Sequence, residues 1–336
     1  MPSLLIGNRM DNTRNIISGI GSALVDILAH ESEMFVKETG AARGGMTLVD
    51  SSVIKNTLAR LSGKPQIVPG GSACNAVRGV AMLGGTARFV GKKGDDDFGR
   101  LFTESLTNIN VIPHLFYSGL PTGRVLSLVT PDSERTMLTY LGAASEIGPL
   151  EVTPECFKNS SIVLIEGYLL FNEALMMSAL ESARANGSKV ALDLASYNVV
   201  EEKKTFLLDH VPEYVDILIA NEDEAAVFAG KKDEMDCLMM MKDMAEIAVV
   251  KIGKRGSLIY QDGKTHKIPP MGSGSAVDTT GAGDLWAGGF LYGLSMGYDM
   301  DMCGKIASAA GYEVCQVMGT IIPDEGWERI RSVLPK

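Results

Sequence analysis

The hydrophobic and polar positions follow two different rhythms in the two halves of the chain. From about residue 160 onward, short apolar runs such as SIVLIEG, KVALDLA and VDILIA alternate with longer segments whose apolar residues recur at helical spacing. Near-continuous apolar strands separated by helices are typical of a parallel sheet that is covered on both faces. The second half therefore predicts repeated β-α-β units in an α/β fold.

The first half contains additional strand-like segments that do not fit this alternation. NIISGI and TARFVG resemble strands of the same sheet, and GGSACNAVRGVAMLGG predicts an amphipathic helix between two glycine pairs. The β-rich segments near 31–50 and 112–125, and a hairpin across TPDSE at 130–134, fall outside the rhythm. We predict that the two β-rich segments form a small lid on a single domain spanning 1–336.

The composition is that of a globular protein and narrows the choice of partners. The 336 residues include 31 basic and 41 acidic side chains, which gives a formal net charge of −10 and argues against a nucleic-acid partner. No apolar run approaches the ~18 residues of a membrane helix, and the start of the chain does not resemble a signal peptide. Five cysteines without a CxxC pair predict reduced thiols and a cytoplasmic protein.

The most informative segment is DTTGAGDLWAGGFLYGL, in which a glycine-rich turn leads directly into an apolar helix. A helix start leaves its first backbone N–H groups unpaired at the positive end of the dipole, so such a turn suits an anion such as phosphate. We predict that the amides of Gly281, Ala282 and Gly283 stabilise a transferring phosphoryl group. Asp284 is predicted to accept the proton of the attacking hydroxyl. The alternative is a capped helix that packs tightly against the sheet.

Two further polar groups follow strand-like runs in the second half, where ligands of parallel sheets bind beyond the carboxyl ends of the strands. Asn221 and Glu224 are three residues apart and share one helix face, which suits them to position water around Mg²⁺. Lys251, Gly253 and Gly256 form a K-x-G-x-x-G pattern that admits a phosphorylated ligand. When each pattern is taken alone, a charged helix start and a plain strand turn are the favoured explanations.

Polar residues of the first half are candidates for contacts with a hydroxylated substrate. Asp26 follows the first strand, Gly70 and Gly71 allow close approach, and the Asn75 amide both donates and accepts hydrogen bonds. A surface carboxylate and a simple turn before a helix remain the alternatives for these positions.

Several other chemistries are disfavoured by missing motifs. GIGSALVD begins like a dinucleotide fingerprint, but Leu24 stands at the third glycine position. The chain has no P-loop, no protein-kinase signature and no G-x-S-x-G elbow, and its four histidines lack zinc-site spacing. Hydride transfer, P-loop hydrolysis, serine hydrolysis and zinc chemistry are therefore disfavoured.

Taken together, the motifs resemble those of the ribokinase-like carbohydrate kinases, also called the PfkB family. GGSACNAVRGVAMLGGTARFVGKKGDDDFG is similar to the first family signature, DTTGAGDLWAGGFLYGL to the second, and ANEDEA to the N-x-x-E motif, in matching order over roughly 16–325. The resemblance implies a three-layer α/β/α ribokinase-like fold with a central, mostly parallel sheet. It also implies ATP-dependent phosphorylation of an alcohol on a sugar-like substrate, with Mg²⁺.

The resemblance also assigns roles to individual positions, with Asp284 as the base beside an anion hole at 281–283. It places the sugar side at Asp26, Gly70, Gly71 and Asn75, and the nucleotide side at Asn221, Glu224, Lys251, Gly253 and Gly256. Glu224 would hold Mg²⁺ through water. Some members bind a monovalent cation such as K⁺ beside the anion hole, at positions like Asp278 and Thr280.

Within the family, the segments GGMTLVD, GGSACNA and ERTMLTYLGAA resemble bacterial adenosine-kinase-like members. Arg135 in the last of these is either a substrate contact or a surface arginine. The prediction is phosphorylation of a primary hydroxyl on a nucleoside or sugar, by a monomer or homodimer. The alternatives are another sugar kinase of the family, for ribose, fructose or 2-keto-3-deoxygluconate, and a catalytically silent ligand-binding protein.

Overall fold

Two β-sheets and their flanking helices make up the computed structural model of the chain, which describes residues 15–132 and 134–335. The absence of a signal peptide was predicted from 1–14, which lie outside the described residues. The strands are β1 (Ile16–Ile20), β2 (Leu24–His30), β3 (Met46–Leu48), β4 (Gln66–Gly70), β5 (Thr86–Gly94), β6 (Val111–Ser118), β7 (Gly123–Val129), β8 (Arg135–Tyr140), β9 (Ser160–Glu166), β10 (Lys189–Asp193), β11 (Ile217–Asn221), β12 (Ile247–Lys251), β13 (Ser257–Gln261) and β14 (Lys264–Ile268).

The helices alternate with the strands most regularly in the second half. They are α1 (Glu33–Glu38), α2 (Ser51–Leu58), α3 (Ser72–Met82), α4 (Asp97–Thr107), α5 (Glu173–Ala185), α6 (Tyr197–Tyr214), α7 (Glu222–Ala229), α8 (Glu234–Met241), α9 (Ala282–Ser295), α10 (Met300–Val314) and α11 (Asp324–Arg331). Within the described ranges, none of these helices has the length and hydropathy that crossing a bilayer demands.

The large sheet has the strand order β14-β13-β12-β11-β10-β9-β1-β5-β6. Its strands from β12 to β6 pair in parallel, and only the hairpin of β13 and β14 at one edge is antiparallel. Every residue of β9 is buried, as expected for a central strand with helices on both faces. The predicted α/β fold with a mostly parallel sheet is confirmed.

Two hydrophobic cores cover the two faces of the large sheet. Along β9, Ile162 and Leu164 face one core while Val163 and Ile165 face the other, because successive strand side chains point to opposite faces. The first core includes residues of α3, α9 and α10 and extends into the small sheet, and the second includes residues of α5 to α8. These layers form the α/β/α sandwich.

The small sheet has the order β3-β8-β7-β2-β4, and it draws on more of the first half than we predicted. The segment 112–118, which we assigned to the lid, instead belongs to β6, which pairs in parallel with β5 at the edge of the large sheet. An edge strand is only half covered, and most residues of β6 are partly buried or exposed, so the sequence pattern did not separate it from a lid strand. Strands β7 and β8 form the predicted antiparallel hairpin, although position 133 within its turn lies outside the described residues.

The parallel order brings the carboxyl ends of β1, β9, β10, β11 and β12 to one edge of the large sheet. We refer to this edge as the carboxyl edge. Three of these strands end in charged residues, Glu166, Asp193 and Lys251, and β11 ends in Asn221. Polar side chains that are far apart in sequence therefore lie side by side at this edge.

Candidate active site

The glycine-rich turn before α9 exposes backbone N–H groups, as predicted, but not all of them. Gly281 is the N-cap residue, with a left-handed φ of 72° that favours glycine. The Ala282 amide donates to the carbonyl of Thr279 at 3.2 Å. Among the described residues, no partner is recorded for the amides of Gly281, Gly283 and Asp284. These three amides are therefore the donors available to an anion, which corrects the prediction for Ala282.

The carboxylate of Asp284, in the first turn of α9, accepts hydrogen bonds on both oxygens from α3. Ser72 Oγ donates to Oδ1 at 2.8 Å, and Asn75 Nδ2 donates to Oδ2 at 2.9 Å. Because both donors belong to the first turn of α3, that turn fixes the direction in which the carboxylate points. The arrangement holds Asp284 as an acceptor, the state that a general base requires.

The pKa of Asp284 is raised above its ordinary value. Burial of the carboxyl group is the main cause, and the hydrogen bonds from Asn75 and Ser72 oppose it. The nearby carboxylate of Asp193 adds to the rise, whereas the ammonium group of Lys251 reduces it. A carboxylate with a raised pKa is a stronger base than an ordinary surface aspartate.

The remaining glycines of α9 serve close helix packing. A Cβ on Gly288 would overlap the carbonyl of Ala76 in α3, and a Cβ on Gly289 would lie 3.0 Å from the Cα of Ala307 in α10. The absence of side chains lets α9 approach both helices. Both interpretations of this segment therefore apply, because its turn exposes amides and its helix packs tightly enough to bring α3 within reach of Asp284.

A buried ion pair lies beneath the glycine-rich turn. Lys251 Nζ donates to Asp193 Oδ2 at 2.9 Å, and a Cβ on Gly283 would lie 3.1 Å from the same Nζ. Burial acts to lower the pKa of Lys251, but the carboxylates of Asp193 and Glu224 outweigh it, so the pKa is raised. Lys251 is therefore a charged ammonium group beside the exposed amides.

Asn221 and Glu224 form a capping box at the start of α7. Each side chain accepts a hydrogen bond from the other residue's backbone N–H, at 2.8–2.9 Å, and Asn221 Nδ2 also donates to Glu224 Oε1 at 2.7 Å. Burial raises the pKa of Glu224 to about 7, with the charge of Lys251 opposing the rise. The helix-start interpretation is thus correct locally, and it also fixes a buried carboxyl group next to Lys251.

Gly253 and Gly256 have backbone reasons to be glycine. Both have positive φ, at 54° and 99°, in the tight turn between β12 and β13. A Cβ on Gly256 would overlap the carbonyl of Ile268. The turn between β12 and β13 therefore explains why both positions are glycine, whether or not the turn also binds a ligand.

Asp26 lies on β2 with its carboxylate against Gly70, where an added Cβ would overlap it. Burial raises the pKa of Asp26 to about 7, while the charge of Arg135 opposes the rise and that of Asp284 adds to it. Asp26 and Asp284 are therefore close enough to interact electrostatically, although Asp26 belongs to the small sheet. The predicted sugar-side residue Asp26 therefore lies near the predicted base Asp284, and we refer to the region between them as the cleft.

Asn75 retains an unused acceptor in this cleft. Its Nδ2 binds Asp284, whereas its Oδ1 is buried and has no hydrogen-bond partner within the described ranges. Gly71, which precedes the helix, has a φ of 97°, and a Cβ there would overlap the carbonyl of Ser22. A buried unpaired acceptor is costly, so Oδ1 retains the capacity to accept one more hydrogen bond.

Arg135, at the start of β8, faces the loop before α9. Its Nη1 lies 3.8 Å from Asp278 Oδ1, and its side chain is only 25% exposed, so it is not a free surface arginine. Asp278 Oδ1 also accepts from the backbone N–H and hydroxyl of Thr280, while Oδ2 accepts from the Gly319 amide. The Asp278 carboxylate therefore ties two loops together next to an arginine of the small sheet.

Aromatic side chains line the carboxyl edge beside this cluster. Tyr168 and Phe171, directly after β9, have stacked rings whose centroids are 6.5 Å apart. Burial raises the pKa of Tyr168 to about 12, and the charges of Glu166 and Asp284 contribute. Phe171 is 58% exposed and Tyr197, which begins α6, is 49% exposed. Flat apolar surface is thus available at this edge, and Tyr168 lies near enough to Asp284 to interact with its charge.

Three functional positions were missed by the sequence analysis: Ser72, Glu166 and Asp193. Glu166 and Asp193 each end a buried strand at the carboxyl edge, which is the signal that identified Asn221. Ser72 lies one helical turn before Asn75 in the same segment. Applying the strand-end rule to every strand would have found both acidic residues.

The sequence and the fold match known proteins over most of the chain. The pfkB family carbohydrate kinase profile matches residues 46–326. The chain is 28% identical over 256 residues to 5-dehydro-2-deoxygluconokinase of Listeria innocua, covering 72% of this chain and 78% of that protein. It is 26% identical over 268 residues to cytidine kinase of Thermococcus kodakarensis, covering 79% and 94% respectively. The crystal structure of adenosine kinase from Sinorhizobium meliloti superposes with a TM-score of 0.86 at 30% identity, covering 96% of this chain and 100% of that one.

Proposed function

The chain belongs to the pfkB family of carbohydrate kinases, and on that premise we propose that it transfers the γ-phosphoryl group of ATP to a primary hydroxyl of a nucleoside such as adenosine. Its general class, an ATP-dependent sugar or nucleoside kinase, follows from the family and from the kinases that it matches. The observation that carries the proposal is the Asp284 carboxylate, held by Ser72 and Asn75 beside unpaired amides.

In the proposed reaction, Asp284 accepts the proton of the substrate hydroxyl as the hydroxyl oxygen attacks phosphorus. The two donors from α3 keep the carboxylate oriented, and Asn75 Oδ1 is placed to accept a hydrogen bond from the substrate. Asp26, against which Gly70 packs, is placed to accept hydrogen bonds from ring hydroxyls on the same side, and Gly71 lets the chain turn into α3.

The negative charge of the transferring group is stabilised in this proposal by the amides of Gly281, Gly283 and Asp284. Donors that are oriented before the reaction typically contribute about 3–4 kcal/mol each in other enzymes. Lys251, whose ammonium group packs against Gly283, adds a full positive charge from the nucleotide side. The turns at Gly253 and Gly256 lie on the same side, directly after β12.

A divalent cation is implied by the family, and we propose Mg²⁺ held through water by Glu224. Among the described residues there is no group of three acidic, cysteine or histidine side chains arranged to bind a metal directly. This fits Mg²⁺, which usually keeps several waters and binds one or two carboxylates together with substrate phosphates. When bound, the ion neutralises phosphate charge, and the Asn221 capping box holds the Glu224 carboxyl group in place.

The surroundings of Asp278 and Thr280 do not favour a bound monovalent cation. The Asp278 carboxylate already accepts three hydrogen bonds, and Arg135 places positive charge 3.8 Å from Oδ1. A bound K⁺ would be repelled by that guanidinium group. We therefore assign the positive charge beside Asp278 to Arg135.

The aromatic side chains at the carboxyl edge support a nucleoside as the acceptor. Tyr168, Phe171 and Tyr197 offer flat apolar faces, and purine or pyrimidine bases stack on such faces. A free sugar has no comparable ring to place there. The matches to proteins named adenosine kinase and cytidine kinase agree with this choice.

A sugar acid is the second candidate, and one observation favours it. Arg78 on α3 acts electrostatically on Asp26, and its Nε is buried without a hydrogen-bond partner among the described residues. A guanidinium group with an unused donor suits a carboxylate. The curated relative from Listeria innocua is a 5-dehydro-2-deoxygluconokinase.

The deciding experiment measures ATP consumption with a panel of acceptors: adenosine, cytidine, inosine, ribose, fructose, 2-keto-3-deoxygluconate and 5-dehydro-2-deoxygluconate. We expect the highest kcat/KM with a nucleoside. Asp284→Asn should lower kcat by about 100- to 10,000-fold, the usual range for general base catalysis, while ATP still binds in calorimetry.

Three results would contradict the proposal in different ways. A sugar acid as the best acceptor would replace the nucleoside but keep the mechanism. Near-normal turnover by Asp284→Asn would remove the base, and ATP binding without turnover on any acceptor would favour the catalytically silent protein. Sedimentation in the same buffer would decide between the monomer and the homodimer.

The five cysteines of the structure are free thiols, which suits the proposed cytoplasmic location.

A further inference from the structure

Glu166 connects two segments of the cleft through its carboxylate, although it belongs to neither segment. It is the last residue of β9 and is 2% exposed. Its Oε1 accepts a hydrogen bond from the Ser22 amide at 2.8 Å, and its Oε2 accepts one from the Ala73 amide at 3.1 Å. The two amides come from the β1–β2 turn and from the first turn of α3, 144 and 93 residues away along the chain.

The surrounding backbone is shaped to admit this carboxylate. A Cβ on Gly21 would overlap the Glu166 carboxyl group, so glycine leaves the space that the carboxylate occupies. The N-cap residue of α3 is Gly71, which has no side chain to accept from the exposed amides of the first turn. Glu166 supplies that acceptor from another element, and its charge suits the positive end of the helix.

The two segments that Glu166 joins carry the two sides of the proposed reaction. The β1–β2 turn leads into β2 and Asp26, on the acceptor side. The first turn of α3 contains Ser72 and Asn75, which hold the base Asp284. One carboxylate therefore sets the separation between the acceptor side and the base.

We propose that Glu166 is a positioning residue that holds the acceptor-binding strand and the base-orienting helix turn in register. This inference rests on the proposed kinase function for its kinetic consequences. Glu166 does not need to touch the substrate, because both of its oxygens are already engaged by backbone amides. It acts through Asp26 on one side and through Ser72 and Asn75 on the other.

The proposal predicts that loss of Glu166 affects the acceptor and the chemical step but not the nucleotide. The ATP side of the cleft is built from α9, β12 and α7, none of which donates to Glu166. In Glu166→Gln the side chain keeps its size, but its NH₂ group must face one of the two backbone donors. We expect the acceptor KM to rise at least fivefold and kcat to fall at least tenfold, with the ATP dissociation constant unchanged within twofold.

Two further variants separate positioning from general stability. Gly21→Ala keeps the Glu166 carboxylate but displaces it, so it should reproduce the same kinetic pattern. Glu313→Gln is the matched control, because Glu313 is a buried carboxylate on α10 whose two oxygens bind Arg329 of α11 and neither of the segments that Glu166 joins. We expect it to lower Tm and to leave both KM values unchanged.

Hydrogen exchange gives a readout that does not require turnover. In Glu166→Gln, exchange should increase in the β1–β2 turn and at the start of α3, and not along α9 or β12. Unchanged exchange in those two segments, or a wild-type acceptor KM and kcat, would overturn the inference. A wild-type enzyme that phosphorylates no acceptor would instead defeat the proposed function, and the exchange data would still decide whether Glu166 anchors both segments.

Discussion

At the scale of single residues, the basicity of Asp284 results from opposing effects on one carboxyl group. Burial favours the neutral acid and raises the pKa, while the hydrogen bonds from Asn75 and Ser72 favour the carboxylate. The donors from Asn75 and Ser72 therefore oppose protonation of the carboxyl group, while burial leaves it more basic than an ordinary aspartate.

Ser72→Ala tests this balance, because it removes one donor to the carboxylate without changing the volume of the site greatly. A hydrogen bond to a charged group is worth about 1.5–3 kcal/mol, and about 1.4 kcal/mol corresponds to one pKa unit. The pKa of Asp284 should therefore rise further, and the acid limb of the kcat profile should move up by about one pH unit. The measurement is kcat against pH from 5 to 9.

The control is Ser295→Ala at the other end of α9, where the hydroxyl donates only to the carbonyl of Tyr292. It should keep the wild-type profile. Turnover of Ser72→Ala should recover at alkaline pH, where Asp284 is ionised in both proteins. An acid limb that stays in place, with kcat lowered equally at every pH, would show that Ser72 does not tune the base.

The position of Arg135 predicts how kcat depends on the monovalent cation in the buffer. If its guanidinium group supplies the positive charge beside Asp278, then kcat in K⁺ and in N-methylglucamine salts should agree within twofold. Arg135→Met removes the charge and keeps a long apolar side chain, so the variant should turn over more slowly and be stimulated by K⁺. Strong K⁺ activation of the wild-type enzyme would instead place the cation at Asp278 and Thr280.

At the scale of elements, the separation of α3 and α9 determines whether the base meets its donors. Gly288 faces the carbonyl of Ala76, so Gly288→Ala must push the two helices apart. Overpacking of this kind costs about 1–3 kcal/mol, and Tm should fall. Because Ser72 and Asn75 would then move away from Asp284, kcat should fall in the folded fraction as well.

Gly119→Ala, between β6 and β7, is the control for this substitution, because a Cβ there has no other atom within 4 Å. Its Tm should remain close to that of the wild-type protein, as is usual for exposed positions. Calorimetry and turnover of the two variants decide the matter. A Gly288→Ala protein with reduced Tm but normal kcat would show that the base tolerates movement of α3.

The order of helices and strands was predictable from the sequence wherever the pattern of apolar residues matches the burial of the folded element. The strands β9 to β12 have apolar centres because both of their faces are covered, and the helices between them show helical spacing. Strand β6 was misassigned because its partner β5 is known only once the chain has folded, and a half-exposed edge strand resembles a lid strand. The periodicity of apolar residues indicates how much of a strand is buried, but not which helices or strands bury it.

The site was predictable only in part, for a related reason. Asp284 and Asn75 lie in distinctive glycine-containing segments, so local sequence identified them. Glu166 and Asp193 act through partners in other elements, such as Ala73 at 93 residues and Lys251 at 58 residues along the chain. The strand-end position marks these residues in the sequence, but the distant partners that they bind appear only once the chain has folded.

At the scale of the whole molecule, the cleft concentrates carboxyl groups that folding makes harder to ionise. Burial raises the pKa to about 7 for Asp26, Glu166 and Glu224, and raises that of Asp284 as well. In the unfolded chain these groups ionise near pH 4. Between these limits the folded protein holds more protons than the unfolded chain, so the ligand-free cleft is destabilising when it is fully charged.

This arrangement gives a pH dependence of stability with a definite sign. Because the folded state binds more protons, the free energy of unfolding contributed by these groups decreases as the pH rises from about 4 to about 7. Asp26→Asn removes one of the groups, so the difference in Tm between this variant and the wild type should grow in favour of the variant over that range and level off above it. Calorimetry at half-unit steps from pH 5 to pH 8 measures this difference. A difference that is constant with pH would mean that Asp26 ionises in the folded protein as it does in the unfolded chain, and a difference that shrinks would mean that Arg135 and Arg78 outweigh its burial.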